Sequence, residues 1–144
     1  MDTESGMNIL KSSQPDFPVA FVDSSAIVAL VDRDDSSHHA AAEAYRSLVT
    51  SGYRLFTTNH VINEAFELLV SGIGFSTARI WLQQQTLAVY VVKDIDLADA
   101  AIMVCRRDDA NPLSLTDALS MVVMERLGVV DAFAVDPAFL AELS

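Results

Sequence analysis

The chain has 144 residues, 51% of them hydrophobic and 20% charged, with nine Lys and Arg against 20 Asp and Glu for a net charge of −11. This length and balance suit one globular domain with its own core, and exclude a coiled coil or wholesale disorder. The acidity argues against broad nonspecific nucleic-acid binding, which needs a basic surface, but not against a phosphate held through cations that carboxylates bind.

Cys105 is the single cysteine, which excludes an internal disulfide. Its apolar run from Ala100 predicts a thiol packed as a small hydrophobe, in a protein of a reducing compartment. No run approaches the roughly 18 apolar residues of a membrane span, and the N-terminus lacks a basic-then-apolar secretory signature. The expectation is a cytoplasmic protein that does not enter membranes. Residues 1–17 are polar, with Ser, Gly and Pro and no periodicity. They read as a mobile tail, with Met7 as an alternative start and the folded domain over 18–144.

From Val19 to Asp23 an apolar run ends on one carboxylate, and two serines then open an apolar helix over about 25–32. A strand apolar on both faces belongs inside a parallel sheet covered by helices, whose ligand crevice lies at the carboxyl ends of the strands. Asp23 stands at that end, although Asp23 or Ser24 would serve equally as a helix N-cap. The acid cluster Asp32–Asp35 reads as a solvated turn. His38 to about Ser51 is Ala-rich and helical, ended by Gly52. The adjacent His38 and His39 diverge by about 100° on a helix and make a poor metal pair, so they read as surface or capping residues.

Arg54–Thr58 predicts a second strand, and Asn59 an N-cap for a helix from His60 to about Ser71, stopped by Gly72 and Gly74. Glu64 lies at the border of that helix's apolar arc, where a glutamate is usually solvated. A helix over about 76–86 and a third strand over 87–92 follow. The helix from Asp96 to Arg107 carries Asp94, Asp96 and Asp99 at its start, where its dipole alone accounts for them.

Residues 113–124 form a helix apolar almost all round, hence buried, with Asp117 as its only charge. Ser114 and Asp117 match a capping box. Gly128 ends that helix, residues 129–135 give the last strand, and Asp136-Pro137 opens a final helix with Pro at its first position.

Asp23, Asp117 and Asp136 thus fall at strand ends or in an adjoining first turn, on the ligand side of the sheet. Independent caps need not be acids each time. With Glu64 they form an all-oxygen donor set that suits Mg²⁺ or Mn²⁺ and not zinc. Without a P-loop, a GxGxxG or a nucleophile elbow, phosphoryl or phosphodiester chemistry is the leading use of such a site. A haloacid-dehalogenase-type phosphatase wants Asp-x-Asp after the first strand, and this chain has Asp23-Ser24-Ser25.

In order and spacing, residues 21–26, 58–64, 113–120 and 133–139 resemble a PIN domain, and within it the VapC toxins of bacterial and archaeal toxin–antitoxin pairs. The resemblance runs from residue 19 to the end of the chain. It matches Asp23, Glu64, Asp117 and Asp136 to an acidic quartet that is both catalytic and metal-binding, with Ser25 and Thr116 as supporting hydroxyl residues. It implies a three-layer α/β fold, a parallel sheet of order 3-2-1-4 with helices on both faces and in some members a fifth strand. It also implies a Mg²⁺- or Mn²⁺-dependent endoribonuclease, the toxin of a type II pair, cleaving RNA phosphodiesters by metal-activated water. A homodimer and a VapB-type antitoxin are the implied partners. Arg33, Arg46, Arg54 and Arg79 are available to hold flanking phosphates, each more simply read as a surface charge. Two readings compete with the nuclease. A phosphoacceptor receiver domain wants an acid pair after its first strand and a Lys after its last, and this chain has neither. A catalytically silent PIN scaffold would not need all four acids.

Overall fold

The fold is seen in a computed structural model that describes residues 17–144, so the expected tail, up to residue 16, lies outside the described residues. Alternation of strand and helix gives β1 (Val19–Val22), α1 (Ser24–Val31), α2 (His38–Thr50), β2 (Arg54–Thr58) and α3 (Asn59–Ile73). Then come α4 (Phe75–Gln84), β3 (Ala88–Tyr90), α5 (Asp94–Cys105), α6 (Leu115–Leu127), β4 (Asp131–Phe133) and α7 (Pro137–Leu143). The four strands pair in parallel in the order β3-β2-β1-β4, as the resemblance to PIN domains implies, with no fifth strand among the described residues.

Burial explains this order. β1 and the carboxyl half of β2 are buried, as befits inner strands with both faces covered, whereas β3 and β4 are three-residue edges with exposed positions. Short edges limit the unpaired backbone that another chain could template on. Phe21 is fully buried, with the Phe56 and Phe139 rings 5.7 and 6.2 Å away, so β1, β2 and α7 share one core. A second cluster joins Ala100, Leu113, Ala118 and Leu119, packing α5 against α6.

Several local expectations need correction. Thr58, not Asn59, caps α3: its Oγ1 accepts from the Val61 N–H at 3.1 Å. Asn59 is the first helical residue, and its Oδ1 accepts instead from the Val92 N–H. α3 runs through Gly72 and stops only at Gly74, whose φ of 93° suits a residue without a Cβ. α6 is not buried all round, since Leu115 and Leu127 are exposed while Val123 and Met124 enter the main core. Cys105 is exposed, because the buried side of α5 runs through Asp96 and Ala100, a face that Cys105 does not share.

Asp96 is the larger surprise. It is fully buried, with Oδ2 accepting from the Tyr90 hydroxyl at 2.8 Å and the Lys93 N–H at 2.9 Å. Its Oδ1 lies 2.6 Å from Arg126 Nε, an ion pair whose N–H is poorly aligned for a hydrogen bond. Burial pushes this carboxyl up, but the Lys93 and Tyr90 hydrogen bonds and the Arg126 charge outweigh it and hold the group below the usual range. The helix dipole is therefore not its full account: Asp96 ties β3, α5 and the end of α6 together.

Candidate active site

At the carboxyl end of β1 the Asp23 N–H donates to Phe133 O at 3.0 Å, joining the ends of β1 and β4. Asp23 also N-caps α1, with Oδ2 accepting from the Ser25 N–H at 3.1 Å, so the capping reading of this residue is correct as far as it goes. It does not account for the whole carboxylate. Asp23 is only 2% exposed, and its Oδ1 is buried without any hydrogen-bond partner. A buried carboxylate oxygen left unpaired costs free energy that native structures rarely leave unrecovered.

The Ser25 hydroxyl donates to Asp23 Oδ2 at 2.6 Å and accepts from the N–H groups of Val135 and Asp136 at 3.0 and 3.2 Å. One side chain thus holds the first acid and the backbone of the fourth. Ser24, which sequence reasoning placed only as a cap, donates to Glu64 Oε1 at 2.6 Å. Glu64 is consequently half-buried and anchored on α1, not a solvated border residue. The signal that could have found Ser24 was the pair of hydroxyls directly after Asp23, one for each neighbouring acid.

Asp117 lies in the first turn of α6, its N–H donating to Ser114 Oγ at 3.0 Å. Among the described residues the returning half of the expected capping box, from Asp117 to the Ser114 backbone, is not formed; α5 has such a return bond at Asp96 and Lys93. The Asp117 carboxyl is left for other work. Burial and then the charges of Asp23, Asp136 and Glu64 push it up to about 6, against a smaller opposing pull from Ser114. Asp23, Asp136 and Glu64 therefore all act on the charge of Asp117. Asp136 caps α7 through Oδ1 and the Ala138 N–H at 3.0 Å. Thr116 gives its backbone oxygen to the buried Ser120 hydroxyl at 3.0 Å.

Among the described residues no three Asp, Glu, His or Cys side chains close into a finished metal cage. The chemistry of the donor set still fits a hard divalent cation: four carboxylates, one with a buried orphan oxygen and one with its proton affinity raised by burial and by the charges of the others. Two of the three His side chains are engaged elsewhere, His38 Nδ1 bonding Ala29 O at 2.7 Å and His39 pairing with Glu43 on α2. Arg54 lies at the opposite end of β2 from the acids and stacks over Phe17 at 4.4 Å. An apolar cavity of about 200 Å³ between α1, α4 and the sheet holds none of the four acids.

A parallel 3-2-1-4 sheet with acids gathered at its carboxyl edge defines a PIN nuclease fold, and the PIN-domain family profile matches residues 20–141. The chain belongs to the PIN-domain family, on its VapC-type toxin ribonuclease branch. It is 31% identical over 123 residues to the 23S rRNA-specific endonuclease VapC20 of Mycobacterium tuberculosis, in strains CDC 1551 / Oshkosh and H37Rv, covering 84% of this chain and 92% of the relative. The crystal structure of M. tuberculosis VapC20, described as a sarcin–ricin loop cleaving toxin, superposes with a TM-score of 0.73 at 29% identity, covering 86% of this chain and 94% of that one. No helix among the described residues is long and apolar enough to cross a membrane.

Proposed function

We propose that the chain is a Mg²⁺- or Mn²⁺-dependent endoribonuclease toxin with Asp23, Glu64, Asp117 and Asp136 as its catalytic and metal-holding residues. The observation that carries the reading is the buried, orphan Asp23 Oδ1, together with the Asp117 carboxyl, which burial and then the charges of Asp23, Asp136 and Glu64 push up to about 6. Uncompensated negative charge concentrated in this way calls for a cation. When bound, a divalent ion supplies a water of lowered pKa and neutralises charge building on the scissile phosphate.

The protein's own part is placement. Ser25 turns Asp23 so that Oδ2 is occupied and Oδ1 is left for the site, and Ser24 does the same for Glu64 by binding one of its oxygens. Asp117 supports the site when ionised, so ion binding and proton loss from Asp117 are coupled. The net charge of −11 makes the ion a precondition for RNA approach, since bare acids would repel the phosphate backbone.

An RNA substrate and a VapB-type antitoxin accompany this reading, with a homodimer as the working assembly and the cytoplasm as its compartment. The similarity to VapC20 makes ribosomal RNA, and its sarcin–ricin loop, the first substrate to try. Purified protein with Mn²⁺ is expected to cut a hairpin carrying that loop at one position. Cleavage of that hairpin no faster than of an unrelated hairpin would overturn the substrate assignment and leave the nuclease reading to the metal test below.

A further inference from the structure

The acids Asp117 and Asp136 stand on elements that are not consecutive in the chain, α6 and the start of α7, with β4 between them. Arg107, two residues past the end of α5, reaches across this gap. Its Nη2 donates to Glu142 Oε1 at 2.6 Å and its Nη1 to Glu142 Oε2 at 3.1 Å, a fork-on-fork pair with side chains 23% and 22% exposed. Such paired bonds fix orientation as well as distance, which a single point charge does not. Arg107 Nη1 also donates to Asn111 O at 3.3 Å.

Both ends of this pair lead to the site. On the Arg107 side, Asp108 Oδ1 accepts from the Ala110 and Asn111 N–H groups, turning the loop that delivers the buried Leu113 and then Ser114, the cap of α6. Asp117 follows one turn later. On the Glu142 side, α7 has seven residues and begins directly after Asp136. A helix of that length has no stability of its own and takes its position from what holds it. It is held by the Asp136 cap and the buried Phe139 near its start, and by Glu142 near its end. Among the described residues, the Arg107–Glu142 pair is the polar side-chain link between the approach to α6 and α7.

We infer that Arg107 and Glu142 are positioning residues, a strut that sets the spacing of Asp117 and Asp136 and through it the affinity of the site for a divalent cation. The inference deepens the metal-dependent reading above and rests on it. Neither residue belongs to the acidic quartet, and the side chains bond each other and the Asn111 backbone, so the strut acts on how readily the acids close around a cation and less on the saturated rate.

The test is calorimetric titration of Mn²⁺ into the full chain and the R107A and E142Q variants, with RNA cleavage rates at saturating Mn²⁺ and melting temperatures without metal. Each variant is expected to bind Mn²⁺ about tenfold more weakly, the lower end of what loss of a supporting contact costs a metal site. The saturated rate should change by less than the affinity. A pair that is merely structural would lower the metal-free melting temperature and leave Mn²⁺ affinity at the parental value, and that result overturns the inference. If R107A and E142Q do not fold, R107K carries the test, because it keeps the charge and loses the fork. It should bind Mn²⁺ more weakly than the parent because the fork is lost, and parental affinity in R107K overturns the strut. A parent chain that binds no Mn²⁺ would overturn the metal reading itself, and is told apart by the parent's own titration.

Discussion

Ser25 Oγ lies 2.6 Å from Asp23 Oδ2 while accepting the backbone N–H groups of Val135 and Asp136, so a single hydroxyl fixes the first acid against the last. Donor and both acceptor positions of that hydroxyl are used. Ser25→Ala should therefore weaken metal binding or cleavage roughly 10- to 100-fold, as loss of a ligand's supporting hydrogen bond typically does. Ser25→Thr, which keeps the hydroxyl, should lose much less. Equal losses in the two variants, measured by Mn²⁺ titration and initial cleavage rates, would show that the hydroxyl is not what matters.

Asp117→Asn separates the site role of Asp117 from a capping role. The amide keeps the shape and leaves the Asp117 N–H to Ser114 Oγ bond in place, but removes one negative charge from the cluster. Without metal the variant should melt at or above the parental temperature, gain less from added Mn²⁺, and lose cleavage. An active variant with an unaltered Mn²⁺ shift would remove Asp117 from the site.

The same residue sets a pH dependence. Its carboxyl titrates at about 6 in the folded, metal-free chain against 3.8 for an unperturbed group, because of burial and the neighbouring acids. The folded state thus holds this proton more tightly than the unfolded state. Stability from this group is greatest below the unfolded value and falls as pH rises through the folded one, over pH 3.8 to about 6. Allowing for its partial exposure to solvent, the loss should be ~1–2 kcal/mol. Urea denaturation in EDTA across that range should show the decline in the parent and a flatter profile in Asp117→Asn; identical profiles would contradict the assignment.

Arg126→Met should act on stability alone. It strips the cation from the buried Asp96 and from Asp99, whose Oδ2 takes a 2.6 Å bond from Arg126 Nη2. Breaking a buried pair from one side costs about 3–5 kcal/mol. About 2–3 is expected here, since Arg126 is partly solvated and Asp96 keeps its Tyr90 and Lys93 bonds. The Asp96 carboxyl is held below its usual range, so its contribution is present above the unfolded pKa and disappears as pH falls through the folded one. The variant's deficit should accordingly be larger at pH 7 than in acid, with Mn²⁺ affinity unchanged.

The alternation of strand and helix and the placing of Asp23, Asp117 and Asp136 at strand ends or in a first helical turn were legible because each follows an apolar run or opens a helix, signals that are local in sequence, whereas the 3-2-1-4 order of the sheet came only from the resemblance to PIN domains. Glu64 was not legible from the pattern alone, because its anchor is Ser24, 40 residues away. Asp96 was misread for a related reason. Acids in a first helical turn are expected anyway, so nothing local marks the one that meets Arg126 across two helices. Caps went astray by a single residue where two capping types stand side by side, Thr58 taking the role expected of Asn59. Cys105 followed hydropathy in an apolar run whose buried face lay elsewhere.

The most direct measurement is RNA cleavage by the purified chain across a Mn²⁺ titration, with EDTA and Asp117→Asn as controls. The account predicts a rate that rises with Mn²⁺ and saturates, is abolished by EDTA, and is lost in Asp117→Asn at every Mn²⁺ concentration. Cleavage that proceeds equally in EDTA, from protein free of contaminating nuclease, would contradict the metal-holding quartet outright.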